Sequence, residues 1–594
     1  MHGRCVFPLL LLLLLLLLAG GEGAAGTVGP LPLKSAVDRP SISSGHASSR
    51  GRPRAADAAA PAVMPPCSAV NAQRVVYLSP SGSDSSDGSL GEPFLTLIRA
   101  RSRVRELLAT GGDICVLLRG GSYAINATLE LLPIDGGGAD RTVTWSSYKQ
   151  ERAVLEGGRL ITGWTKEQPT GGDPAVVWSA PLAATSAFMP RQVWFGSDRV
   201  NETGLAAAGS VFGNTALLSL ADTFCTPDGF VTNNSAVLRA AKVQGAAGLT
   251  DVEFIWRRTR VQWEEDRLRV SSWKVLPNGS LAITMQQPGW RIRHLTTSHV
   301  DSGASNLTDF PTSIINLRST LKTPGTGYIS IATQRVYYVP RAGDSTSDPV
   351  WVSRFDGPLL LLRGQRGRNT GMQVPNFVDN MAFSSLTLRH ASWAWPSGPN
   401  GYLSGQSGFY FGSEDSGVGG KPVTSAFELK TARNVSIRNC TIEHVGTGGI
   451  AIDEGSDSVS VIDSILDDTS CWGVRLGQIN DSALPELVGR TRRLLVHNNV
   501  VRNSGAELRG CSALMGGYFS GSEISQNTIT HAQWSGISVG WGWAAAASAA
   551  LGDNKILNNK VWDTNLACAD GGPIYVMGAQ GGKHVNSDTL ELLC

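Results

Sequence analysis

Asp570 opens the hexapeptide Asp570-Gly-Gly-Pro-Ile-Tyr575, which puts a carboxyl group at a glycine-flanked turn four residues before an apolar strand. Backbone without side chains lets a substrate come close, so an acid placed there can reach a reacting bond. One acid is not enough for hydrolysis of a sugar linkage. That chemistry takes two carboxyl groups, about 5 Å apart for retention and about 6.5–9.5 Å apart for inversion. The position matching Asp570 one repeat earlier is Gln533, with His531 beside it, and neither is a carboxylate. Two repeats earlier the acid in reach is Glu507, in Gly505-Ala-Glu-Leu-Arg509. Glu454 is another candidate, although Asp453-Glu454-Gly455 also reads as a plain turn. His531 would orient a substrate or tune Asp570. The plain reading of Asp570 itself is a turn residue before Gly-Gly.

The repeat that relates these positions is visible in the chain. Arg438-Asn439 follows Val435-Ser-Ile437 and precedes Cys-Thr-Ile442. The same apolar, polar corner, apolar template returns at Asp463, Asn498, Gln526, Asn558 and Asn586. The steps are unequal, which implies loops inserted on a common coil. A second strand follows each corner: Ile450 to Ile452, Val474 to Leu476, Ile537 to Val539 and Ile574 to Val576, with Leu514 to Phe519 as the match in the third coil. Short strands and Gly/Asn turns restated every few tens of residues imply a parallel β-solenoid. A sandwich does not restate one template at such a period. An Asn amide at the corner would bond its own turn and the Asn of the next coil. Strands about 4.8 Å apart would place acids on neighbouring coils at retaining distance and acids two coils apart near inverting distance. On a straight strand Ile537, Val539, Trp541 and Trp543 share one face, leaving Gly536, Ser538, Gly540 and Gly542 as a groove floor. The two Trp then fill the core or, if the chain turns after Gly540, one stacks on a sugar ring.

The rest of the 594 residues frames that solenoid. Residues 1–26 read as a secretory signal, with Arg4, the run Leu9 to Leu18 and a small-residue stretch after it; ten leucines fall short of a span. Residues 27–73 are rich in Ala, Pro, Ser, Gly and Arg and read as a disordered linker. Residues 74–190 read as a cap and first coils, with a helix from Pro93 to Ala109 burying Leu97, Ile98, Val104, Leu107 and Leu108 over the open end. Residues 191–345 lose the template and alternate, as an inserted antiparallel β region does; 346–594 hold the main coils. Trp256, Trp263, Trp273 and Trp290 are read mostly as core. The run Arg257, Arg258, Arg260, Glu264, Glu265, Asp266, Arg267 and Arg269 alternates in sign and reads as a solvated face. Eight cysteines follow the signal and permit disulfides; Cys115, inside Ile114-Cys-Val-Leu-Leu118, reads as a buried thiol. The sequons at Asn434 and Asn439 lie on solenoid strands and read as too buried for glycan. A net charge of +2 and 17% charged residues give no sign of a nucleic-acid partner. Nothing in the spacing of Cys and His suggests a metal, and no cofactor is expected.

The pairing of Ser535-Gly-Ile-Ser-Val-Gly-Trp-Gly-Trp543 with Asp570-Gly-Gly-Pro-Ile-Tyr575 resembles the secreted proteins of glycoside hydrolase family 141. Val76-Tyr-Leu-Ser-Pro-Ser-Gly-Ser-Asp84 resembles their first strand and approach to the capping helix, and Gly327 to Gly343 their β region before the main coils. The resemblance covers most of Val75 to Gly582. It implies an all-β, right-handed parallel β-helix with an N-terminal capping helix and an inserted antiparallel β region. It implies a secreted hydrolase of fucose- or xylose-containing plant or algal polysaccharide, with a polysaccharide or oligosaccharide as its partner and no stable membrane insertion of the mature chain. Catalysis would fall to Asp570 and Glu507, and substrate binding to His531, Gln533, Trp541, Trp543 and Tyr575. Two features depart from the family: Pro573 stands where a third Gly is usual, and family members continue for further coils, so the chain is expected to be truncated. A non-catalytic glycan-binding solenoid and a polysaccharide lyase stay open; the lyase would want acidic Ca²⁺ ligands, for which only Asp467-Asp468 offers itself. A fold alone does not choose among them.

Overall fold

Asn439, Asp463, Asn498, Gln526 and Asn558 all adopt left-handed backbone, with φ of 51°, 54°, 54°, 55° and 54°. Asn and Asp enter that region at least cost among residues with a side chain, which is why four of the five corners carry them. Each corner ends a strand of one sheet and starts a strand of the next. The computed structural model describes Cys67 and residues 74–591, apart from 168–175, 183–189, 207–216, 220, 246–247, 258–262, 294–309, 367–373, 413–419, 482–488, 542–550, 579, 581–583 and 587–588. The expected signal, the linker apart from Cys67, and Trp543 lie outside the described residues.

Three parallel sheets of ten, nine and eight strands carry the coils, each visited once per turn. The chain is therefore a parallel β-helix. Its register is held by apolar stacks. In the first sheet Val76, Val116, Trp145, Phe383, Ile437, Val461, Val496, Ile524 and Ile556 lie partner to partner. All nine are buried in one continuous core. A slip of one residue would turn such a column to solvent, so burial fixes the pairing.

The asparagine ladder stands one residue beyond the corner. Asn499 Nδ2 donates to Asn527 Oδ1 at 3.0 Å, and Asn527 Nδ2 to Asn559 Oδ1 at 2.9 Å. The backbone N–H groups of Asn499 and Asn527 donate to the same oxygens, both at 3.0 Å. The corner residue turns outward in its left-handed conformation and the next one points in, so the buried amides are those of the second Asn. Asn586 is not a further corner: it pairs with Leu557, one residue early. Asn434 and Asn439 are exposed rather than buried, because both adopt left-handed backbone, Asn434 within its strand and Asn439 at the corner after it.

The helix Leu97–Leu108 caps the first coil. Thr96 accepts from Arg99 N–H at its start, and Leu97, Ala100, Val104 and Leu107 face the core. Ile98 is instead exposed, one position off that stripe. Cys115 is bonded to Cys67, overturning the reading as a thiol. Its neighbour Val116 points into the coil, so Cys115 points out of it, where Cys67 lies.

An antiparallel insertion leaves the second coil after Ala153–Glu156 and returns before Leu360–Arg363. Its outermost paired strands are Gly158–Ile161 and Val350–Ser353. Trp256, Trp290, Phe230 and Phe254 form its main core, with Trp273 packed on the edge. A further long loop after Leu386–Arg389 carries Trp393, Tyr402 and Tyr410, which pack with Trp472, Trp534 and Trp541 outside the coil. The disulfide Cys471–Cys511 ties two successive corner loops beneath them.

Replacing Asn527 by Ala leaves the Asn499 amide and buried backbone groups without partners. We expect a loss of about 1–3 kcal/mol in chemical denaturation, whereas Gln526→Gly at the outward corner should leave the midpoint unchanged or raise it.

Candidate active site

The strand Glu265–Val275 pairs antiparallel with Glu253–Arg257 and presents its charged start to the corner loop that follows Val500–Ser504. The sequence reading made this run a solvated face. In the structure Glu264, Glu265, Asp266 and Arg267 are buried. Opposite charges met at close range allow it for Glu265, Asp266 and Arg267. Arg257 Nε lies 2.8 Å from Glu265 Oε2 and Arg267 Nε 2.8 Å from Glu265 Oε1. Arg293 Nε lies 3.1 Å from Asp266 Oδ2. Burial alone would raise the Glu265 pKa, but Arg267 and Arg257 outweigh it and hold the group down at about 2.

Glu507 comes from the coils and is gripped by the insertion. Arg191 donates to Glu507 Oε1 through Nε at 2.9 Å and Nη2 at 2.7 Å. Gln192 Nε2 and Ser470 Oγ donate to Oε2. Arg267 Nη2 donates to the Glu507 carbonyl at 2.6 Å. Burial opposes the charge of Glu507, yet Arg191 and Arg267 overcome it and keep the carboxylate ionised well below the usual range. Glu507 therefore cannot be a proton donor near neutral pH, and its expected catalytic role narrows to that of a held anion.

Glu202, which the sequence reading did not single out, faces it. Arg267 Nη1 lies 3.3 Å from Glu202 Oε2 and 3.6 Å from Glu507 Oε1. Two oxygens sharing one nitrogen are at most about 7 Å apart, close enough for both carboxyl groups to reach one glycosidic bond. Solvent reaches 36% of the Glu202 side chain although protein surrounds it. Burial, with the negative charge of Glu507 and Glu253 added, raises its pKa more than Arg267 and Arg191 lower it. The two carboxyl groups are thus pushed in opposite directions. They line a cavity of about 380 Å³ between insertion and coils, with Arg191, Arg257, Arg267 and Arg509 on its wall. No sequence signal marks Glu202: it sits in the two-residue strand Asn201–Glu202, inside a segment without the coil template.

The other expected residues lie on neighbouring corners. Ile537 pairs with Ile574 and Ser538 with Tyr575, so the two signature motifs share one sheet. The carbonyl of Gln533 accepts from the N–H groups of Ala567 and Cys568, and the Gln533 side chain packs over Gly505. Glu507, Gln533 and Asp570 therefore stand on successive corner loops. Asp570 is exposed and left-handed, with φ of 55°. Gly571 after it is required for space, because a Cβ there would meet Ser535 Oγ, Asn565 Nδ2 and Trp534 Nε1. Tyr575 is half-buried, and burial plus the charge of Asp570 raise its phenol. His531 is exposed at the outer end of its strand, 3.6 Å from Asp563, and is not in the Glu507 cluster. Trp541 is fully buried, its Nε1 donating to Ser538 Oγ at 2.7 Å and its ring against Trp534. The chain does turn at Gly540, with φ of 100°, but into an aromatic cluster, so Trp541 keeps no face for a sugar. Asp468 is taken by Arg199 and His444, and Asp467 by Arg502 and Asn503, which leaves neither for Ca²⁺. Among the described residues no cluster of His, Cys, Asp and Glu could hold a metal ion.

No family profile and no curated protein matches the sequence. Solved structures do. One, described as a glycoside hydrolase, superposes with a TM-score of 0.71 at 24% identity over 87% of this chain and 88% of that one. XylC in complex with xylose overlaps at 0.38 with 11% identity over 86% and 68%, and a rhamnogalacturonan lyase at 0.31 with 9% identity over 87% and 85%. The first shares the fold of this chain over most of its length; the other two overlap too loosely to carry an argument. The chain is thus a parallel β-helix protein with the architecture of a solved glycoside hydrolase.

Arg191→Met strands Glu507 and Glu253 without their shared cation. It should cost about 3–5 kcal/mol in unfolding free energy, and adding Glu507→Gln and Glu253→Gln should restore most of it. Because Glu507 and Glu265 are lowered when folded, their stabilisation is complete above the unfolded glutamate pKa of about 4.3 and fades as pH falls towards 2. Acid titration of the midpoint should lose it over that interval.

Proposed function

We propose that the protein is an exported glycoside hydrolase acting on a fucose- or xylose-containing glycan of the plant or algal cell-wall type. Glu202 is the proton donor and Glu507 the ionised partner. The observation that carries this reading is the cavity in which both carboxyl groups share Arg267 Nη1 while their environments push their proton affinities apart. A carboxyl group pushed towards its neutral form beside a carboxylate kept charged suits the division of labour in glycoside cleavage. Asp570 and Tyr575, two coils on, bind sugar hydroxyls at the far side of the corner loops, with Gln533 and His531 between. The sugar class rests on the resemblance of the two signature motifs, and export on residues 1–26.

The engagement of both Glu507 oxygens favours a second reading, in which the cavity holds a glycan without cleaving it. Aryl α-L-fucosides and aryl xylosides separate the two. Under the first reading the full chain hydrolyses one of them, and Glu202→Gln lowers kcat by about 100-fold or more with little change in KM. Asp570→Asn raises KM and lowers kcat far less. An unaffected Glu202→Gln would remove that residue from the mechanism, and an equal loss at Asp570→Asn would move the acid to Asp570. Oligosaccharide binding with no turnover would select the second reading.

The pH profile has a definite sign. Glu202 must be protonated to donate, so kcat/KM should decline as pH rises through its raised pKa. The acid limb should not come from Glu507, which stays charged well below the ordinary glutamate range.

A further inference from the structure

The cavity wall carries five arginines: Arg191, Arg199, Arg257, Arg267 and Arg509. Four are accounted for by carboxylates. Arg191 takes Glu253 and Glu507, Arg199 takes Asp468, Arg257 takes Glu265, and Arg267 bridges Glu265, Glu202 and Glu507. Arg509 stands apart. Its guanidinium makes no hydrogen bond or ion pair to any described residue, and Glu265 and Glu202 act on it only at longer range. Burial and the like charges of Arg257 and Arg267 disfavour its cationic form, yet a guanidinium does not give up its proton under ordinary conditions.

The placement of this charge is fixed by covalent and backbone restraints. Arg509 lies on the corner loop held by the Cys471–Cys511 disulfide, and its own carbonyl accepts from Cys568 Sγ at 3.4 Å. Leu508 before it is fully buried. The disulfide-held loop thus places at the cavity wall a planar cation with no direct partner among the described residues, beside two more guanidinium groups and in the same cavity as Glu202. Every other charge on this wall has its partner inside the protein.

We propose that the cavity selects a glycan bearing an anionic group, a uronate carboxylate or a sulfate ester, and that Arg509 is the residue that takes this group. The proposal rests on the reading of the cavity as a glycan site. Arg509 is a specificity residue: it meets the charge on the sugar, not the bond that is cleaved. Its forked donors suit two oxygens of a carboxylate or a sulfate.

Calorimetric titration of the full chain tests this without any turnover. The probes are D-galactose, D-galacturonate and galactose 6-sulfate, and the proteins are the wild type, Arg509→Gln and Arg509→Lys. Arg509 has no hydrogen-bond or ion-pair partner among the described residues, so both variants should melt close to the wild type, which a thermal scan checks. We expect the wild type to prefer at least one anionic sugar over galactose by about tenfold or more, Arg509→Gln to erase that preference, and Arg509→Lys to keep part of it. Preference for galacturonate identifies a uronate glycan; preference for the sulfated sugar identifies a sulfate ester. Equal binding of galactose and both anions by the wild type, no binding of any of the three, or an undiminished preference in Arg509→Gln would overturn the proposal. Failure of the hydrolase reading looks different: no aryl glycoside is cleaved while the Arg509-dependent preference persists.

Discussion

Arg267 is buried where water cannot neutralise it, and the arrangement of the insertion on the coils follows from where its charge is met. It bonds Glu265 on its own strand, Glu202 on a strand from another sheet of the insertion and the carbonyl of Glu507 on a corner loop of the solenoid. Arg191 closes the circuit from Glu253 to Glu507. Removing charges from water costs several kcal/mol each, and only close pairing returns it. The pairs therefore fix how the insertion seats, because other seatings would leave buried charge unmatched. The cavity is the space left between the two surfaces once those pairs are made.

Most of the solenoid was legible from the chain because its physics is local and repeated. A left-handed corner selects Asn or Asp, an inward column selects Val, Ile, Leu or Phe, and both recur whenever the coil does. Asn439, Asp463, Asn498 and Asn558 announced the corners in this way. What blurred the reading was a neighbour: in Asn498-Asn499 and Asn558-Asn559 either residue can be the ladder, and only the orientation of the corner decides for the second. Cys115 misled for a related reason. Its strand is apolar on both sides in sequence, but only Val116 and its alternates face the core, leaving the thiol on the outer face within reach of Cys67.

The site was legible in part. Glu507 emerged from counting coils back from Asp570, and the structure does set it at a cavity wall. Its partners were invisible, since Arg191, Gln192 and Glu202 lie some 300 residues away in sequence, in a region without the template. The charged run ending at Arg269 was misread because alternation of sign describes a solvated face and a buried ion network equally well. The signal that distinguishes them was present: Trp256 before the run, Leu268 within it and Val270 just after it mark strands buried along this stretch. Trp541 shows the converse error. Aromatic residues beside a glycine-rich strand suggest a sugar platform, but here they knit the loops to the outer face of the third sheet.

The account turns on where a sugar sits. A crystal structure of the Glu202→Gln protein soaked with a bound oligosaccharide measures that directly. The account predicts a sugar ring between positions 202 and 507, with its charged substituent against Arg509. Density for the sugar only on the outer face of the third sheet, beside Asp570 and Tyr575 and away from the insertion, would contradict it.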